Sequence, residues 1–183
     1  MVASFQVGPE AARRDLERFV GEIQAADLGH HVVGEAHSRP AAERRGDLVD
    51  AQVVRYRSFD GEVIPANYYK PKNIRPGDSI PAIIHVHGGP GGQARKTYSD
   101  AIQYFVNHGY AVLSVNNRGS SGYGKRFRAL DDMRHGQDDL RDCIEGKNWL
   151  VMTGYVDPDR VAILGASYGG YMVLAALTFA PEE

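Results

Sequence analysis

A chain of 183 residues with a formal net charge of −2 is long enough for one domain that buries about 70% of the surface its unfolded chain exposes. Its 21 Lys and Arg are scattered among 23 Asp and Glu, so no basic stripe points to nucleic acid and no polybasic cluster points to an anionic membrane. Cys143 has no second cysteine to pair with, the opening MVASFQVGPEAARR lacks the apolar stretch of a secretory signal, and no apolar run approaches the roughly 18 to 20 residues that cross a bilayer; a soluble protein of a reducing cytoplasm is the expectation.

The first predicted element is an amphipathic helix over residues 10–28. Leu16, Phe19, Val20 and Ile23 recur there at i, i+3, i+4, i+7, and Pro9 suits the helix start. Residues 29–46 (GHHVVGEAHSRPAAERRG) show no clean period and read as a linker. The chain therefore divides into a helical arm with its linker at 1–46 and a main domain at 47–183.

Two strand-like runs, 51–59 and 62–69, flank Asp60-Gly61, a short turn signal that favours an antiparallel hairpin. Residues 81–86 (PAIIHV) form an apolar strand that ends in a glycine cluster. A helix is expected at 101–106, a strand at 110–115 (YAVLSV), a helix at 138–153, a strand at 161–164 (VAIL) and an apolar helix at 169–179. Strands alternating with helices imply an α/β domain whose mainly parallel sheet is covered on both faces. Cys143, Trp149 and Met152 read as core packing of the 138–153 helix.

Gly165-Ala166-Ser167-Tyr168-Gly169 matches G-x-S-x-G between an apolar strand and an apolar helix. In such an elbow the strand ends in a sharp turn, small residues flank the serine, and its Oγ stands clear of the sheet. A dinucleotide turn is the nearest rival, since Gly165 and Gly170 also follow a strand. Ser167 takes the place of the middle glycine that lets backbone approach pyrophosphate, and no acidic ribose ligand follows about 20 residues on. The run His85-Val86-His87-Gly88-Gly89-Pro90-Gly91-Gly92 again follows a strand. An oxyanion hole in this kind of fold takes one N–H from the residue after the nucleophile and one from an earlier strand's loop, which nominates Tyr168 and Gly89. His85 and His87 lie two apart but have no third ligand at a recognisable spacing, so no metal and no cofactor is expected. Arg118, in the Asn116 to Gly124 loop after the next strand, is a candidate to hold a substrate carboxylate or, alternatively, a structural carbonyl.

Taken together, HVHGGPGG, VNNRGSSGYGKRF and DPDRVAILGASYGGYM resemble the catalytic domain of the prolyl oligopeptidase family of serine peptidases, particularly its acylaminoacyl-peptidase and dipeptidyl-peptidase-like branches. The run VVRYRSFDGEVIPANYYKPKN is similar to that domain's first hairpin. The resemblance covers about residue 47 to the C-terminus. It implies an α/β-hydrolase fold, a peptide substrate, Ser167 as nucleophile, and Gly89 with Tyr168 as oxyanion donors. Some relatives carry a tyrosine hydroxyl where His87 stands. Residues 1–46 are too short and too helical for the N-terminal β-propeller of the family, so size filtering of that kind is not expected.

The order in this fold is Ser, then Asp or Glu, then His, and residues 168–183 contain neither Asp nor His. The histidines before Ser167 lie in segments assigned elsewhere in the fold. The chain is therefore expected to be an incomplete α/β-hydrolase domain, nearly inactive alone, since loss of triad members leaves only about a thousandfold acceleration over water. The strand at 161–164 is expected to be an exposed edge through which chains self-associate. An esterase or thioesterase of the same fold, and a non-catalytic remnant that acts by pairing, are the alternative readings.

Overall fold

The structure, a computed structural model, describes the backbone of residues 2–4 and all of residues 48–183. The helix expected at 10–28, the linker and the boundary near residue 47 lie outside the described residues. The described elements are strands β1 (Val2–Ser4), β2 (Gln52–Arg57), β3 (Val63–Tyr69), β4 (Ile80–Val86), β5 (Ala111–Val115) and β6 (Val156–Gly165). The helices are α1 (Asp100–Asn107), α2 (Lys125–Arg128), α3 (Asp138–Val151) and α4 (Tyr168–Phe179).

The strands form one sheet in the order β1-β6-β4-β5-β3-β2. Only its centre, β6-β4-β5, is parallel; β1 with β6, β3 with β5 and β2 with β3 are antiparallel. The sheet is therefore mixed, where a mainly parallel one was expected. The physical reason lies in the connections: a tight turn returns β2 into β3, and no helix lies between β3 and β4 to carry a parallel crossover. In that turn Gly61 takes φ 86°, its N–H donates to Ser58 O at 2.9 Å, and Ser58 N–H donates to Glu62 O at 2.8 Å.

The central strands are buried on both faces, which explains their unbroken apolar runs. On one face Ile83 and Val112 meet Ile102, Phe105 and Val106 of α1. On the other, Ile84, Leu113 and Ile163 meet Leu140, Cys143 and Leu150 of α3 and Met172, Val173 and Ala176 of α4. Ser99 caps α1, its Oγ accepting from Ile102 N–H, a contact that offsets one of the helix's unpaired donors. Trp149 packs against the core and lies edge-on to Tyr68, with ring centroids 5.2 Å apart. Cys143 is buried, and that burial pushes its thiol pKa up. Met152 is 83% exposed and not core: it is the C-cap residue of α3, two positions past the buried Leu150.

β6 is longer than its apolar stretch. Its pairing with β4 breaks register between Ile80↔Val156 and Ala82↔Val161, and residues 158–160 are exposed. The edge expected to be bare is filled from within the chain: Val2, Ala3 and Ser4 pair with Leu164, Ile163 and Ala162. Self-association through an unpaired 161–164 edge has lost that premise over these three residues.

Candidate active site

Three loops meet at the carboxyl ends of β4, β5 and β6, where ligand sites of open α/β sheets gather. Between β6 and α4, Ser167 adopts φ 57°, ψ −120°. A positive φ costs a non-glycine residue on the order of 1 to 3 kcal/mol and persists where surrounding packing enforces it. That packing is visible in the flanking glycines. A Cβ on Gly165 would stand 2.5 Å from Gly169 C, and one on Gly169 would stand 2.3 Å from Val86 O. The turn is thus wedged between the end of β4 and the first turn of α4, and Ser167 is exposed at its apex.

The glycine loop after β4 lies directly against this turn. A Cβ on Gly88 would be 3.5 Å from Ser167 Cβ and 3.3 Å from Ala166 O, so the loop sits at van der Waals distance from the serine. Gly89 takes φ 62°. Neither Gly89 N–H nor Tyr168 N–H donates to a backbone acceptor among the described residues.

The loop after β5 holds the glycine loop in place. Ser121 N–H donates to Gly92 O at 2.9 Å, and Asn116 grips Ala94 twice, Oδ1 accepting from its N–H at 2.7 Å and Nδ2 donating to its carbonyl at 3.0 Å. Ser120 Oγ donates its one proton to Asn117 O at 2.6 Å. It also lies 2.8 Å from His87 Nε2, while His87 Nδ1 lies 3.2 Å from Gly88 O. Burial pushes the His87 pKa below the usual imidazole value, although hydrogen bonds involving Gly88 and Gly89 work the other way. The His87 ring is engaged with Ser120.

Arg118 is corrected by the structure. It is 3% exposed, and its guanidinium donates to Asp142 from Nε at 3.0 Å and Nη2 at 2.8 Å, and to Asp60 from Nη1 at 2.9 Å and Nη2 at 3.1 Å. The ring of Phe59 packs against it, 4.9 Å from Cζ. Burial alone would favour neutral Arg118, but the two carboxylates outweigh it and hold the guanidinium above its usual range. Asp142 also accepts from Ser58 Oγ at 2.6 Å. Arg118 is a buried tie between the hairpin turn and α3, not a substrate ligand, and its partners lie 58 and 24 residues away in sequence.

Two further groups were missed by sequence reading. Tyr168 donates its hydroxyl to Asp139 Oδ2, while Asp139 Oδ1 accepts from Leu140 N–H at 2.9 Å and Gln137 N–H at 3.0 Å. Burial first, and the Asp139 hydrogen bond second, raise the Tyr168 pKa. Asp131 and His135 form an i, i+4 pair beside Tyr168; that spacing was the available signal.

No histidine among the described residues hydrogen-bonds Ser167 Oγ. His85 Nδ1 contacts Ser114 Oγ at 2.8 Å, His108 Nδ1 contacts Tyr104 O at 2.7 Å, and His135 Nε2 lies 3.2 Å from Asp131. Among the described residues no group of three His, Cys, Asp or Glu side chains could hold a metal ion, and no helix is long and apolar enough to cross a membrane.

The parallel core, the strained serine turn and the glycine loop define part of an α/β-hydrolase fold. Residues 96–183 match the prolyl oligopeptidase family, and over that stretch the chain is similar to it. It is 43% identical over 103 residues to dipeptidyl aminopeptidase BIII of Pseudoxanthomonas mexicana, an alignment covering 56% of this chain and 15% of the relative. A puromycin-hydrolyzing peptidase of Mycobacterium tuberculosis superposes with TM-score 0.72 at 33% identity, over 75% of this chain and 22% of that one. The acylaminoacyl peptidase of Pyrococcus horikoshii superposes with TM-score 0.67 at 34% identity, over 72% and 21%. The chain thus spans about a seventh of the length of the curated relatives it matches.

Proposed function

We propose that this chain is the nucleophile-bearing part of a serine peptidase catalytic domain, acting on peptide bonds through an acyl-enzyme on Ser167. The observation that carries the reading is Ser167, held at φ 57° on a strand-to-helix turn with the glycine loop packed against it. The family's peptidases supply the support for peptides as substrates.

In this reading Ser167 Oγ bonds to the scissile carbonyl carbon, the carbonyl electron pair moves to oxygen, and the hydroxyl proton leaves to a base. The N–H groups of Gly89 and Tyr168 face the new oxyanion, and the N-terminus of α4 adds a favourable positive potential there. Collapse expels the amine with a proton, and water then cleaves the ester in the same way. No described residue is assigned as the base. Cytoplasmic location is part of this proposal, resting on the single cysteine.

The test is the rate of covalent labelling of the chain by a fluorophosphonate, read by intact mass, against Ser167→Ala. Oxyanion donors act even without a triad base, so slow labelling that depends on Ser167 and accelerates with added imidazole is expected. Labelling no faster than in the Ala variant would sink the assignment.

A further inference from the structure

Asp131 lies in the loop between α2 and α3 with no solvent exposure, and neither of its carboxylate oxygens makes an aligned hydrogen bond among the described residues. A buried carboxylate is strongly disfavoured unless charge pairs with it. Two basic side chains stand within reach: Arg128 Nη1 lies 3.6 Å from Oδ1 and His135 Nε2 lies 3.2 Å from Oδ2.

The direction in which those partners lead gives the group its meaning. A Cβ on Gly91 would fall 2.6 Å from Arg128 Nε and Nη2, so the guanidinium occupies the space beside the glycine loop that carries Gly89. His135 sets its ring edge against Tyr168, with centroids 5.5 Å apart and planes at 74°. Its carbonyl accepts from Tyr171 Oη at 3.1 Å. On a third side Gly119, at φ 90°, closes on the carboxylate so tightly that a Cβ there would be 2.0 Å from Oδ2. Asp131 therefore joins, directly or through one side chain, all three loops of the site.

We infer that Asp131 is a positioning residue of the oxyanion hole, which anchors Arg128 against Gly91 and His135 against Tyr168 and so fixes the separation of the Gly89 and Tyr168 N–H groups. The inference rests on the assignment of those two groups as oxyanion donors. Asp131 itself touches no reacting atom. Burial pushes its carboxyl above the usual range, His135 and Arg128 oppose that rise, and the nearby Asp139 adds to it.

The experiment uses the full chain, labelled with ¹⁵N, and compares it with Asp131→Asn, which keeps the shape and removes the charge. Expected are concerted shifts of the Gly89 and Tyr168 amide resonances, with Gly61 and Gly109 unmoved, and a fall in Ser167 labelling by about tenfold, as sub-ångström misplacement in a site produces. Adding Asp131→Asn to an Arg128→Leu/His135→Leu background should cause no further change. Gly89 and Tyr168 amides that stay put in a folded Asp131→Asn chain would overturn the inference. Should that variant not fold, Arg128→Leu and His135→Leu separately must each move both amides; movement of only the nearer one would overturn it equally. Absence of labelling in the unmodified chain would count against the nucleophile assignment alone, since the amide shifts decide the role of Asp131 independently.

Discussion

Gly169→Ala is a small substitution with a large expected effect. The added Cβ would meet Val86 O at 2.3 Å, Val86 C at 3.1 Å and His87 O at 3.3 Å. All three are backbone atoms of the parallel centre, so no rotamer change relieves the contact. To restore ordinary carbon to oxygen spacing, β4 and α4 must part by about 1 Å, an overpacking that costs roughly 1 to 3 kcal/mol. For a domain of this size that lowers the melting temperature by about 3 to 10 °C. The same displacement moves Gly88 away from Ser167, and about 1 Å at a reacting centre costs up to about a hundredfold in rate. Gly170→Ala is the control one residue along: its Cβ finds only Gly165 O at 3.6 Å, an ordinary contact, and a helical Ala gains up to about 1 kcal/mol over Gly. The melting temperatures of the two variants should therefore move in opposite directions, while fluorophosphonate labelling falls in Gly169→Ala and is unchanged in Gly170→Ala. Equal melting temperatures would refute the wedged geometry of the turn.

Arg118→Leu leaves Asp142 buried without its cation and should destabilise by about 3 to 5 kcal/mol, readable as a lower urea midpoint; a loss below 1 kcal/mol would mean the pair is not a structural tie. Ser167→Gly removes a positive-φ side chain at φ 57° and is expected to raise the melting temperature by a few degrees, as about 1 kcal/mol of strain is released; a lower value would argue against strain at the turn. His85 and His87 are held below the usual imidazole pKa by burial, so the unfolded chain binds more protons. Their contribution is present in full above the unfolded value of about 6.5 and is lost as pH falls from there. His87→Gln should reduce the drop in melting temperature between pH 7 and pH 5 (values on either side of about 6.5), and an unchanged drop would contradict it. Cys143 should react with a thiol reagent only after denaturation, since its thiol is buried and its pKa raised; rapid labelling of the native chain would refute that.

Much of the centre was legible because local and tertiary demands coincide there. The apolar runs that became β4, β5 and the end of β6 are buried on both faces, and Gly165, Ser167 and Gly169 belong to one five-residue turn pattern, although the atom that excludes a side chain at Gly169 is Val86 O of β4. Ser167, Gly89 and Tyr168 were nominated by that route, and the structure brings their loops together. Arg118 misled because its role depends on Asp142 and Asp60, which no spacing rule places beside it. Asp131 was not singled out in the sequence, since its burial follows from how loops from three strands close together. Met152 shows the opposite limit: apolar character alone did not indicate that the C-cap residue of α3 faces outward. β1 was invisible because a three-residue strand carries too little pattern to detect.

The tie made by Arg118 also bears on how the domain comes apart. The hairpin of β2 and β3 lies at the outer edge of the sheet, where strands ordinarily fray first and their amides exchange fastest. Here Asp60 and Ser58 of its turn are joined through Arg118 and Asp142 to the interior of α3, and Tyr56 Oη donates to Asp142 O at 2.8 Å. Lifting the hairpin away would break the Arg118–Asp60 pair and the Ser58 and Tyr56 hydrogen bonds to Asp142 together. The edge and α3 should therefore open as one cooperative unit, with the amides of Tyr56 and Cys143 becoming exchangeable in the same event.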